Sequence, residues 1–226
     1  MSRYCLVAGG IDFDDEFSKG FPATEEDKAK WVALGKNTTT NVPMIVNGDK
    51  VYTQSTAVVR VAARMAGLYP KDDEESYECD NITAAAGDLR AQAYKSLPMF
   101  GASEEAVKNY VEKAIPLHAG NLQRILGDNE YFVGGKLSYA DIVVYDVLTN
   151  NCNNMVPGSL DAFPKLDAFR KRIDALPKIA EYIKSEKFTK LMAFPDITKK
   201  KEWKSLKDTT LLNVKINQSQ IWSRFS

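Results

Sequence analysis

The segment Asn41–Leu68, NVPMIVNGDKVYTQSTAVVRVAARMAGL, leaves the backbone little choice. Met44, Ile45 and Val46 form a β-prone run, Asn47-Gly48-Asp49-Lys50 supplies residues that tolerate positive φ, and Val51, Tyr52 and Thr53 resume strand chemistry. An antiparallel hairpin is predicted. Val58, Val61, Ala62, Met65 and Leu68 then recur at helical spacing, so the following helix has one apolar face. Pro43 opens the first strand without an amide donor and holds Val42 extended. Its peptide bond is either a trans strand start or a cis turn.

Ser55 stands where an N-cap is expected. The first amides of a helix lack internal partners and lie at the positive end of its dipole, so a carboxylate can bind there with Gln54 and Ser55 beside it. A plain capping role for Ser55 is the alternative.

Further motifs flank this segment. Trp31 and Lys36 precede Pro43, Asp88-Leu89-Arg90 follows it, and Gly134-Gly135-Lys136-Leu137-Ser138-Tyr139-Ala140-Asp141 lies farther on. In this order they resemble the cytosolic glutathione S-transferase superfamily, most of all its sigma class, which includes glutathione-dependent prostaglandin D synthases. Asn41 stands where that family has Gln, and Gly87 where it has Glu.

The resemblance implies an α/β plus all-α fold. A thioredoxin-like, glutathione-binding domain would span 1–70, an all-helical C-terminal domain 75–195, and an atypical tail 196–226. Gln54 and Ser55 would hold the γ-glutamyl carboxylate of glutathione, the Val42 main chain its cysteinyl backbone, and Trp31, Lys36 and Asn41 its glycyl end. Asp88 would reach across a homodimer to the amino group of the ligand. Tyr94, Met99 and Phe100 would wall a pocket for a small apolar electrophile. Each has a plainer reading: Trp31 covering the sheet, Lys36 and Asp88 as solvated surface charges, the aromatic group as core packing.

Arg3–Phe13 resembles the end of the family's first helix and its exit into the second strand. The first strand, and the tyrosine whose hydroxyl favours the glutathione thiolate, would lie upstream of Met1. No catalytic residue is therefore assigned, Tyr4 and Tyr52 match no motif, and without that interior strand either the sheet rearranges or the chain is incomplete. Two functions follow from the resemblance. One is a transferase that, in full-length form, conjugates the glutathione thiolate to small apolar electrophiles or isomerises a lipid endoperoxide. The other is a non-catalytic binding module on the same fold. Glutathione, as substrate or ligand, is the cofactor implied.

Local chemistry adds a structural element independent of any family. Ser138 followed three residues later by Asp141, before Ile142, Val143, Val144 and Tyr145, is a variant capping box that starts a core helix. Further helices are expected at roughly 75–99, 103–126, 138–152, 163–174 and 177–186, with Pro116 interrupting the second.

With 226 residues and 44% hydrophobic content the chain can build real cores. Lys plus Arg equals Asp plus Glu, 30 each, so no general attraction to nucleic acid or anionic membrane is implied. The opening MSRYCLVAGGIDFDDEF lacks the regions of a signal peptide, and a cytoplasmic location is expected. Cys5, Cys79 and Cys152 are scattered, which suits reduced, buried thiols, and a single histidine, His118, gives no zinc motif.

Overall fold

The computed structural model describes residues 1–17, 24–35, 42–189, 194–199 and 212–216, with the backbone alone at Phe17, Met99, Thr189 and 212–216. The chain forms two compact units. One comprises Met1–Tyr69, Pro177–Met192 and Asp208–Ser226; the other comprises Pro70–Leu176 and Ala193–Lys207. These boundaries differ from a division at 70–75 and 195, because Pro177–Met192 joins the first unit.

Among the described residues, the first unit is built on a four-stranded sheet. Helix α1 (Ser2–Gly9) leads into β1 (Phe13–Phe17), and α2 (Glu25–Ala33) follows. Next come β2 (Ile45–Asn47), β3 (Lys50–Tyr52) and α3 (Ser55–Ala66). The hairpin forms as its sequence predicts, with Ile45 opposite Tyr52 and Asn47 opposite Lys50. Gly48, at φ 62°, takes the first turn position, where positive φ matches the twist of the strands. α2 begins with a reciprocal capping box between Thr24 and Asp27.

Helix α3 is amphipathic, but its buried face is Val58, Val59, Ala62, Ala63 and Ala66, one position away from the expected Val61 and Met65. The small residues are needed there. A Cβ added to Gly9 of α1 would stand 2.5 Å from the Ala66 Cβ, so the two helices touch nearly backbone to backbone. Arg3 of α1 donates to Asp15 of β1 at 2.7 Å, tying that helix to the sheet.

Helices α9 (Pro177–Lys184) and α10 (Glu186–Thr189) belong to this unit through an aromatic cluster. The Tyr182 ring meets Tyr4 edge-on at 5.9 Å, Phe13 at 6.4 Å and Phe188 at 5.5 Å. Tyr4 is 5% exposed, so it packs as a core residue.

The sheet does not lack an interior strand. Residues Leu212–Ile216, in the segment expected to be an atypical tail, form β4, and the strand order is β1-β4-β2-β3. An interior position leaves backbone donors and acceptors that must be paired, and this chain pairs them with its own C-terminal region.

The second unit is helical. Its long helix is α4 (Asp73–Lys95), capped by the Asp72 carboxylate on the Glu75 amide. A 3₁₀ turn (Pro98–Phe100) and α5 (Glu104–Asn109) follow, then α6 (Ile115–Leu126), α7 (Tyr139–Asp146) and α8 (Pro164–Asp174). Pro116 does not end the second helical stretch. A π-helical turn at Tyr110–Ala114 joins α5 to α6 directly before it, and a wider turn accommodates a ring that cannot donate an amide.

A second π-helical stretch, Val147–Asn154, continues α7, and the buried Tyr110 hydroxyl donates to the Asn151 carbonyl at 2.8 Å, linking the two. Helix α7 is buried from Tyr139 to Tyr145, with its capping box in place. Ile197 is 1% exposed and its amide donates to the Met155 carbonyl, so the chain after Pro195 still contributes to this unit.

Candidate functional site

The hairpin gathers one end of the site. Ile45 pairs with Tyr52, so Val42–Pro43 and Gln54–Ser55, the dipeptides just outside that pair, leave the hairpin at the same end. The Val42–Pro43 peptide bond is cis.

Gln54 adopts φ 72° and ψ 117° and, among the described residues, is the one non-glycine with positive φ. A side chain at such an angle carries strain of about 1–3 kcal/mol, a cost concentrated at functional positions. The N-cap of α3 is Gln54 rather than Ser55, which is the first helical residue. Among the described residues no side chain caps the helix, and no acidic residue lies in its first turn. The chain turns sharply from β3 into α3, so the residue before the helix must leave helical geometry, and Gln54 rather than Ser55 does so. The first amides of a 12-residue helix are thus left without a side-chain acceptor, at the positive end of its dipole. Gln54 is exposed and Ser55 half-buried beside them.

The remaining expected contacts fare unequally. Trp31, on α2, is 3% exposed. Lys36 and Asn41 lie outside the described residues. Asp88 stands exposed on α4, the plainer surface position.

In the helical unit, Tyr94 and Phe100 do come together. Their rings stack at 6.3 Å, and Phe194 meets Tyr94 edge-on at 5.7 Å. Tyr94 is 42% exposed and Phe100 51%, so this is an open aromatic patch, against the core-packing reading of the sequence. The side chain of Met99 lies outside the described residues. Phe194 was not foreseen, since it is separated from Tyr94 by the whole helical unit and no local pattern points to it. A separate cleft of about 390 Å³ includes Lys95, Tyr110, Lys113 and His118 in its lining and none of these three aromatics.

Comparison with known proteins settles the family. The Mu 1 glutathione S-transferase of Oryctolagus cuniculus is 35% identical over 185 residues, covering 80% of this chain and 82% of the rabbit protein. The chain belongs to the glutathione S-transferase family. The class-mu 26 kDa isozyme 7 of Fasciola hepatica is 34% identical over 168 residues, 73% of this chain and 75% of that protein. Residues 87–186 match the family model described as glutathione S-transferase, C-terminal domain. The crystal structure of the glutathione S-transferase from Ascaris lumbricoides superposes with a TM-score of 0.65 at 23% identity, over 80% of this chain and 88% of that one, and so shares the fold.

The relatives are of the Mu class. They do not support the sigma-class resemblance read from the sequence. Within this transferase fold the hairpin end and the uncapped α3 belong to the thioredoxin-like unit, and the aromatic patch to the helical one.

Proposed function

We propose that this glutathione S-transferase binds glutathione at the open end of the β2–β3 hairpin and joins its thiolate to small apolar electrophiles. The conformation of Gln54 carries the reading. A strained polar residue directly before an uncapped helix suits a γ-glutamyl carboxylate, which would accept from the first amides of α3 with Gln54 and Ser55 beside it. Val42 would pair with the cysteinyl backbone through its main chain, and Trp31, Lys36 and Asn41 would attend the glycyl end.

Conjugation needs the sulfur as thiolate. The thiol proton leaves to solvent, the sulfur lone pair forms a C–S bond at the electrophilic carbon, and the leaving group departs with its bonding electrons. A hydrogen bond to the sulfur lowers the thiol pKa, but Tyr4 is held in the aromatic cluster, so we assign no residue to that task. Tyr94, Phe100 and Phe194 offer apolar surface to the second substrate. Endoperoxide isomerisation rested on the sigma-class resemblance and is the weaker reading.

The enzyme would act as a cytoplasmic homodimer, with Asp88 reaching the ligand's amino group across the interface. The balanced charge supports a protein without nucleic-acid or membrane partners, and no described helix is long and apolar enough to cross a membrane.

The test is Ser55→Ala. Because the Ser55 side chain does not cap α3, stability should change by less than about 0.5 kcal/mol, while glutathione affinity in calorimetry falls tenfold or more. Unchanged affinity would overturn the proposed site. Binding without turnover of an activated aryl halide would favour the non-catalytic module.

A further inference from the structure

The last described strand is an inner strand of the sheet. β4 pairs antiparallel with β1 over all five residues, from Phe13↔Ile216 to Phe17↔Leu212, and parallel with β2 at Ile45↔Val214 and Val46↔Lys215. In the order β1-β4-β2-β3, among the described residues, β1 has no neighbour but β4, and β2 has no other neighbour on that side. Because β1 and β2 run in opposite directions, β4 runs against β1 and along β2.

β2 is also the strand that begins just after Val42–Pro43 and pairs with β3 just before Gln54. It is only three residues long, and so is β3. A lone two-stranded hairpin is marginal in water. Whatever holds β2 from its other side therefore holds the end of the hairpin where the anion-binding amides of α3 lie.

We propose that Leu212–Ile216 is an intrachain strand ligand whose docking between β1 and β2 controls glutathione binding. The inference rests on the glutathione reading above and adds its regulation. With β4 seated, both ladders form and the Val42–Pro43 and Gln54–Ser55 segments keep their relation. With β4 released, backbone groups of β1 and β2 lose their partners and the hairpin loosens. Linkage requires reciprocity: if β4 tightens glutathione binding by some factor, glutathione tightens β4 docking by the same factor.

Hydrogen exchange on the full chain tests this, with Val214→Pro as the variant. Val214 sits in both ladders, and proline there removes a donor from an inner strand. In the unmodified chain, amides of Leu212–Ile216 should exchange at least tenfold more slowly than in a free peptide of residues 208–220, and glutathione should slow them further. In Val214→Pro, amides of Asp14–Glu16 and Ile45–Val46 should exchange at least tenfold faster and glutathione affinity should fall at least tenfold. Adding the free peptide should reverse both changes. Free-peptide exchange rates at Leu212–Ile216 in the unmodified chain would overturn the proposal, even if the variant failed to fold. Unaltered glutathione affinity in a folded Val214→Pro chain with faster Ile45–Val46 exchange would also overturn it. If glutathione fails to bind the unmodified chain while β4 is protected, the proposed function falls instead, and the regulation with it.

Discussion

Asp141 accepts hydrogen bonds from both the amide and the hydroxyl of Ser138, at 2.8 and 2.7 Å, while its other oxygen accepts from the Phe132 amide at 2.8 Å. The carboxylate is 0% exposed. One side chain thus starts α7 and fixes the loop before it. Asp141→Asn would turn an NH₂ toward at least one of these donors and leave it unpaired. A loss of about 2–4 kcal/mol is expected in urea unfolding, built from unsatisfied buried groups at about 1–3 kcal/mol each. A loss below 0.5 kcal/mol would mean the loop re-forms around the amide.

The same residue sets a pH dependence. Burial pushes its pKa above the ordinary 3.8, against the hydrogen bonds from Phe132 and Ser138, which pull it down. The folded state therefore holds this proton to higher pH than the unfolded chain. Stability from Asp141 is fully present below 3.8 and declines as pH rises from there through the folded pKa. The stability gap between the natural chain and Asp141→Asn should narrow with rising pH over that window. A gap that widens would show that the hydrogen bonds outweigh burial.

Gly9→Ala should be costly despite alanine's better helix propensity. The new methyl would lie 2.5 Å from the Ala66 Cβ and 2.6 Å from its Cα, backbone that cannot swing aside. Separating α1 from α3 should cost about 1–3 kcal/mol. The check is thermal or urea unfolding, and a gain in stability would contradict the close approach.

All three cysteines should be silent in the folded protein. Cys5, Cys79 and Cys152 are each 0% exposed and form no disulfide among the described residues. Burial pushes the Cys152 thiol up to about 12, and raises Cys79 as well. A disulfide reagent at pH 8 should label none of them quickly and all three after unfolding, since thiolate and access are both needed. Rapid native labelling of Cys5 would contradict its burial.

Much of this was legible because the deciding interactions are local. The Gly48 turn, the Ser138–Asp141 box and the helix starts each depend on residues within a few positions. The face of α3 was read one position out because Val61 and Met65 look more apolar than Ala63 and Ala66, while the choice is made by contact with Gly9, far away in sequence. Phe194 beside Tyr94, and Leu212–Ile216 between β1 and β2, are likewise long-range pairings. The Gln54 conformation falls between these cases: its place before a helix was visible, but its positive φ comes from how β3 enters α3.

Gln54→Gly separates strain from binding. Glycine reaches positive φ without a Cβ penalty, but it adds entropy to the unfolded chain, so the two effects largely cancel and stability should shift by no more than about 1 kcal/mol in either direction. The polar side chain beside the α3 amides is lost outright. Glutathione affinity should therefore fall at least tenfold, which is about 1.4 kcal/mol of binding free energy, while the unfolding midpoint stays nearly fixed. Calorimetric titration paired with urea unfolding on one preparation gives both numbers. Affinity and stability falling together would point to a purely structural Gln54, and retained affinity would leave the ligand held by the helix amides alone.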